Sequence, residues 1–211
     1  MQSYAIFNKN NKVLFVKSLS EVEKKSDSQI IHCDSDNLKT FDFFSWFNDN
    51  DKEDKVILLE NLEIETVFNQ ISTKIKNVEA AGGIVFNEDK DILFMFRNGY
   101  WDLPKGHKEL GEDIAFTAKR EVLEECGMKN LTQYEYLASS YHSYNLLGKR
   151  EIKHTSWYRM FCSKNETLKP QVEEGINELC WISKSQLNDV LPKTYPSIQR
   201  LFKQILPILN L

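Results

Sequence analysis

The sequence predicts an α/β protein in two parts, a small αβ module over residues 1–76 followed by a larger α/β domain over residues 77–211. Three observations carry this reading. Short apolar runs bounded by turn residues alternate with amphipathic stretches along the whole chain. The texture changes near Glu79, where the apolar runs become denser. One stretch, from about residue 113 to 126, is patterned as a helix more strongly than any other. The 211 residues are 41% hydrophobic and 27% charged, enough to build and solvate a core, while Gly 8 and Pro 5 stay far below the level of low-complexity chains.

In the first part, residues 4–7 and 13–16 flank the turn-rich Asn8, Lys9, Asn10, Asn11 and Lys12, which reads as a hairpin. Residues 29–33 form a third strand candidate. Leu38, Phe41, Phe44 and Phe47 recur at every third position and mark one side of a short helix. Residues 56–59 read as a buried strand and residues 65–75 as a second helix. No chemical motif falls in this segment. It is expected to pack on the main domain or mediate homodimerisation, with shaping of a substrate site as the alternative.

In the second part, residues 80–86, a turn at 87–90 and residues 92–97 read as strand, turn, strand. A glycine-bearing loop, 98–111, leads into the helical stretch. Residues 134–144, 153–162 and 178–182 are further strand candidates. Two helices, 184–190 and 196–206, close the domain, the second stopped by Pro207.

Composition bounds the function. Lys+Arg 27 against Asp+Glu 31 gives a net charge of −4 and a pI near 5.7, which argues against a grip on the nucleic-acid backbone. Small anionic ligands remain open, because one bound cation reverses the local sign of an acidic pocket. No apolar stretch approaches the ~20 residues that cross a bilayer. No N-terminal apolar run matches a signal core of ~7–15 residues, so a cytoplasmic protein without a membrane or nucleic-acid partner is expected. Cys33, Cys126, Cys162 and Cys180 lack the spacing of a zinc site and are expected as free, mostly buried thiols.

The decisive segment runs from Gly106 to Met128. On a helix, Glu121, Glu124 and Glu125 fall at about 0°, 300° and 40°, within one ~100° sector. Ala115, Ala118 and Val122 form an adjoining strip suited to burial, and Phe116 and Leu123 suggest cover on a second side. Gly127 is placed to stop the helix in the left-handed conformation. Three acids on one face repel one another, and near a helix C-terminus the macrodipole disfavours them further. A hard divalent cation with oxygen ligands resolves that conflict, and Mg²⁺ characteristically takes a few carboxylates plus substrate phosphates. The alternative is a solvated acidic surface.

The spacing Gly-x₅-Glu-x₇-Arg-Glu-U-x-Glu-Glu-x-Gly-U, with U aliphatic, resembles the signature of the Nudix hydrolase family position for position. A chance match in a chain of this composition has a probability on the order of 10⁻⁷. Met128 is the one soft departure, where the family more often has Ile, Leu or Val. The resemblance implies an α/β/α sandwich with a mixed sheet and hydrolysis of a phosphoanhydride in a nucleoside diphosphate-linked substrate. It implies Glu121, Glu124 and Glu125 as metal carboxylates, with Glu121 as a base or its orienter, and the Gly106 carbonyl as a backbone ligand. Arg120 matches a mainly structural arginine and Glu112 its partner. Their eight-residue separation allows contact only if Glu112 sits just before the first turn. Mg²⁺ is the expected cofactor, with Mn²⁺ as a substitute.

Just upstream, Trp101, Pro104, Lys105, Gly106 and His107 resemble the Trp-x-x-Pro-Lys-Gly-His run of members that hydrolyse dinucleoside polyphosphates or oxidised nucleotides. Lys105 then reads as a point charge against a phosphate, or else as a surface lysine. His107 reads as a phosphate or water contact or as a structural loop histidine, and Trp101 as core or as a base platform. Glu173 and Glu174 precede the last strand, and Glu174 is the favoured extra ligand or base. Arg150, Lys153 and His154 read as a phosphate rim above Trp157, or as solvated charges over a core tryptophan. His142 and Tyr144 share that ambiguity, and Tyr195 at the start of the last helix is a remote candidate for substrate contact. The candidate catalytic set is therefore Glu121, Glu174, Lys105 and Arg120. The expected substrate is a small nucleotide, best a dinucleoside polyphosphate or nucleoside triphosphate, then ADP-ribose or a nucleotide sugar, with a non-catalytic nucleotide sensor as the alternative.

Overall fold

The computed structural model describes residues 4–8, 11–22, 29–34, 55–59, 62–72, 76–146 and 149–209. The helix expected around Leu38, Phe41, Phe44 and Phe47 lies outside the described residues. The chain forms two compact units, Met1–Asn77 with Tyr141–Ile152, and Val78–Ser140 with Lys153–Leu211.

In the first unit, β1 (Tyr4–Asn8) and β2 (Asn11–Val16) form the antiparallel hairpin, in register from Tyr4 opposite Phe15 to Asn8 opposite Asn11. β3 (Gln29–Cys33) and β4 (Lys55–Leu59) add in parallel, β4 lying between β2 and β3. Alternation sorts the side chains by face. Ile6, Val13, Phe15, Ile57 and Leu59 pack against Val67 and Phe68 of α1 (Ile64–Ser72), while Ala5, Phe7, Leu14, Val16 and Val56 form a second buried cluster. Burial on both faces explains why these strands read as apolar runs rather than alternating ones.

The second unit is built on β5 (Lys76–Phe86), β6 (Ile92–Arg97), β9 (Thr132–Leu146), β10 (Lys149–Phe161) and β11 (Ile176–Ile182), in the order β11-β6-β5-β10-β9. The long hairpin of β9 and β10 gives residues 141–152 to the first unit and the remainder to the second. The segment expected as a loop carries two short strands, β7 (Tyr100–Asp102) on β6 and β8 (Lys105–His107) on β5. Their three residues each are too few to show a period in the sequence.

One face of this sheet packs α2 (Ile114–Cys126) through Ala81, Val85, Leu93, Tyr158 and Met160 against Ala118, Val122 and Cys126. The other packs α4 (Pro196–Ile205) through Ile84, Phe86, Phe94 and Trp157 against Ile198, Leu201, Phe202 and Ile205. Each fully buried Val, Leu or Phe contributes about 1.5–3 kcal/mol. The result is an α/β/α sandwich. Gly83 lets α2 come close to the sheet, since a Cβ there would stand 2.7 Å from Val122 Cγ2 and 2.8 Å from the Met160 sulfur. Between the last strand and α4, the stretch expected as one helix is a 3-10 turn, Lys184–Gln186, running into the short α3 (Leu187–Val190).

Candidate active site

The Asp113 side chain caps α2 by accepting the amides of Ala115 at 2.9 Å and Phe116 at 3.3 Å. Glu112 therefore stands just outside the first turn, the one position from which it can reach Arg120. The contact is made: Arg120 Nε donates to Glu112 Oε1 at 2.7 Å and its Nη2 to Oε2 at 3.0 Å. Glu112 also accepts from the Glu109 amide and the Thr117 hydroxyl. With the Arg120 hydrogen bonds as the main cause, its carboxyl is held down at about 2. At the other end Gly127, with φ of 62°, turns the chain left-handed, and its amide bonds back to Glu124. Ala118 and Val122 are buried as their strip predicts. Phe116 is exposed, so the second covered side extends only to Leu123, which packs on the core.

The three glutamates of α2 meet cations of the chain itself. Arg120 Nη1 donates to Glu121 Oε1 at 2.8 Å and to Glu124 Oε2 at 3.0 Å, and its Nη2 donates to the His107 carbonyl at 3.0 Å. These bonds hold the guanidinium protonated well above its ordinary value, the Glu112 bond contributing most. Glu125 is buried, with 4% of its side chain exposed, and accepts from Arg97 at 3.2 Å and from the Lys105 amide at 2.7 Å. Desolvation outweighs these partners and raises its carboxyl to about 7. Desolvation likewise raises Glu121. Glu124 is more than half exposed.

The strand β8 brings Gly106 against this face. A Cβ on Gly106 would overlap the Glu121 carboxylate, which would have to swing away from its place beside Arg120. Lys105, one residue earlier, extends its ammonium to the buried Asp102, whose other oxygen accepts the Leu103 amide at 2.8 Å. Lys153 on β10 belongs to the same neighbourhood: burial lowers its ammonium pKa first, then the charges of Lys105 and Arg97. The residues singled out by spacing thus sit together on one helix face and the adjoining loop. A NUDIX domain model matches residues 76–205, well over half of the chain. The chain belongs to the NUDIX domain family.

As a member it is a Nudix-type pyrophosphohydrolase. Among solved structures, an Ap4A hydrolase of C. elegans is 22% identical with a TM-score of 0.49, covering 63% of this chain and 98% of that one. A MutT protein of Bacillus halodurans is 25% identical with a TM-score of 0.45, covering 61% and 82%. A bifunctional NMN adenylyltransferase/ADP ribose pyrophosphatase of Francisella tularensis, complexed with AMP and Mn ion, is 18% identical with a TM-score of 0.47, covering 66% and 45%.

The donor set expected from the sequence is the Gly106 carbonyl with the Glu121, Glu124 and Glu125 carboxylates. All are oxygen donors, the chemistry that suits a hard divalent cation, and the glycine cradle at Glu121 fits a backbone ligand at that point. Among the described residues no group of three or more His, Cys, Asp or Glu is drawn together tightly enough to hold an ion. The acids are instead compensated by Arg120 and Arg97.

The remaining candidates divide. Lys105 joins the Nudix face. His107 is exposed, and its carbonyl takes the Arg120 bond. Glu173 and Glu174 are exposed on a 3-10 turn, Val172–Glu174, a few residues beyond Lys169 and Gln171, whose amides bond the Cys126 and Glu125 carbonyls at the end of α2. Trp101 packs on the core and edge-on to Phe96. Trp157 is core, 1% exposed, its indole N–H donating to the Ser140 hydroxyl. His154 bonds Ser139, and Arg150 has its side chain outside those described. His142 and Tyr144 fall in the first unit, where Tyr144 donates to Glu151. Two members of the site escape the sequence reading, Arg97 and Asp102. The one available signal was a charged residue ending the apolar run of β6.

Proposed function

We propose that this protein hydrolyses a phosphoanhydride bond of a nucleoside diphosphate-linked substrate, with a dinucleoside polyphosphate or nucleoside triphosphate as the best fit, in the presence of Mg²⁺ or Mn²⁺. The observation that carries the reading is the close approach of Gly106 to Glu121 beside Glu124 and Glu125. It brings β8 against the side of α2 that carries the three carboxylates, next to the lysine-bearing loop.

Gly106, Glu121, Glu124 and Glu125 are the residues that would hold the cation. When bound, it supplies Lewis-acid polarisation of the phosphoryl group and acidifies a water. The chain supplies the rest. Lys105 offers a point charge to a phosphate oxygen, with Asp102 fixing its position. Glu121 and Glu174 are the candidate acceptors of the water proton. Glu121 is largely buried, and desolvation raises its carboxyl above the ordinary value. Arg120 positions Glu121, Glu124 and the His107 carbonyl together and is not itself asked to touch substrate. Small-nucleotide turnover in the cytoplasm is consistent with the acidic composition. Among the described residues no helix is long and apolar enough to cross a membrane.

The test is product identification by mass spectrometry. Diadenosine polyphosphates, nucleoside triphosphates, ADP-ribose and nucleotide sugars are each offered with EDTA, Mg²⁺ or Mn²⁺, in ¹⁸O-labelled water. Cleavage with either metal and none in EDTA is expected, with Glu124→Gln losing orders of magnitude in turnover while the fold is kept. Nucleotide binding without phosphate release would make the protein a sensor and overturn the reading.

A further inference from the structure

A second group of hydrogen-bonded polar side chains lies on β9 and β10, and the hydrolytic chemistry above does not use it. Ser139 Oγ and His154 Nε2 stand 2.7 Å apart, inside the ~2.6–3.2 Å that separates a hydroxyl nucleophile from its base. The Tyr136 hydroxyl stands 2.9 Å from the same Ser139 oxygen. All three residues belong to the second unit.

One polarity satisfies both bonds at once: Tyr136 donates to Ser139, and Ser139 donates to an unprotonated imidazole nitrogen. Burial favours that state of the imidazole. Desolvation holds the His154 pKa below its ordinary value, against the opposing charge of Glu79. The group is also within reach of solvent, since Ser139 and His154 are half-buried and Tyr136 is 55% exposed. The buried Tyr158 ring meets Tyr136 edge-on, with centroids 5.9 Å apart and planes 77° apart. That contact steadies the ring bearing the hydroxyl and sets aromatic surface beside the pair.

We propose that Ser139 and His154 form a second active centre, a serine nucleophile with its base, that cleaves small carboxylic esters with an aromatic leaving group. Ser139 Oγ attacks the carbonyl carbon while its proton passes to His154 Nε2. The Tyr136 hydroxyl donates to the oxyanion that forms. Collapse of the tetrahedral intermediate breaks the ester C–O bond, and the imidazolium returns its proton to the leaving alcohol. A water deprotonated by the same imidazole then hydrolyses the acyl-serine, releasing the carboxylic acid and restoring Ser139. This centre needs no metal and is independent of the nucleotide reading.

The full chain in EDTA tests it with two probes, a fluorophosphonate that traps serine nucleophiles and p-nitrophenyl acetate as the ester. Peptide mass mapping is expected to place the phosphonyl group on Ser139. Ester turnover is expected to persist in EDTA and to fall at least ~100-fold in Ser139→Ala and in His154→Gln. Tyr136→Phe is expected to slow it about 100-fold. The site of wild-type labelling requires no variant, so a substitution that unfolds the protein leaves the test intact. No adduct on Ser139, or an adduct that forms as fast in His154→Gln, would overturn the pair. So would ester turnover that survives Ser139→Ala or stops in EDTA. Nucleotide hydrolysis with Mg²⁺, assayed alongside, is expected to be unchanged in Ser139→Ala; its loss together with ester turnover in a folded variant would overturn a second centre.

Discussion

Glu125 makes the sharpest test of the site's electrostatics. Its side chain is 4% exposed and its carboxyl is raised from 4.5 to about 7, with desolvation as the main cause. Between those two values the folded protein keeps a proton on Glu125 that the unfolded chain releases. Stability must therefore fall as pH rises through the window, with the loss complete above about pH 7. The displacement corresponds to about 3 kcal/mol. Glu125→Gln keeps the shape of the side chain and removes the ionisation. The stability of the variant relative to wild type should thus increase by about 3 kcal/mol between about pH 4.5 and pH 8, whatever constant offset arises from reshuffled hydrogen bonds to Arg97 and Lys105. All other titrating groups are shared and cancel in the difference. Urea unfolding in EDTA in a Trp46→Phe background, followed by the fluorescence of Trp101, Trp157 and Trp181, reports on the second unit. A gap that stays constant with pH would show that Glu125 ionises normally and that its burial carries no electrostatic consequence.

Gly106→Ala should lower turnover at least about 100-fold and destabilise by roughly 1–3 kcal/mol, because the added methyl overlaps the Glu121 carboxylate; steady-state kinetics and thermal melts check this. Arg120→Lys cannot reproduce the fork that holds Glu112, Glu121 and Glu124 together. It should reduce kcat with little change in KM and move the Glu112 titration up from about 2, which carboxyl NMR would follow. Gly127→Ala places a side chain at φ of 62° and a Cβ 2.7 Å from Lys169, so a loss of about 1–2 kcal/mol is expected in urea unfolding. Chelator should abolish turnover yet leave the melting temperature within a few degrees, since Arg120 and Arg97 already compensate the acidic face; unfolding in EDTA alone would contradict that compensation.

What the sequence shows and hides follows the range of each interaction. The hairpin, the helix α2, its glycine stop and the precapping position of Glu112 are local, fixed by spacing within about two turns, and all are legible in the residues. The small strands β7 and β8 are not, because three residues contain no period. Glu121, Glu124 and Glu125 are legible as a face, whereas Arg97, which bonds Glu125, and Asp102, which holds Lys105, arrive from β6 and β7 through pairing that no local rule states. Tyr195, which stacks on Tyr100, lies 95 positions after it in the sequence, so the stack exists only once α4 has docked on the sheet. Exposure is equally tertiary: Phe116 on α2 reads as apolar cover and is in fact open to solvent.

That difference bears on how the acidic helix face should be interpreted. From the sequence alone, three like charges near a helix C-terminus demand a compensating cation, and a divalent ion answers the demand. In the folded chain the demand is already met. Arg120 bridges two of the three glutamates as well as Glu112, and Arg97 with the Lys105 amide takes the third. Charge repulsion therefore does not by itself argue for a metal. The stronger grounds are chemical and geometric. Arg120 engages one oxygen of Glu121 and one of Glu124, the Gly106 backbone is pressed against Glu121 where a side chain would be excluded, and every donor in the set is oxygen.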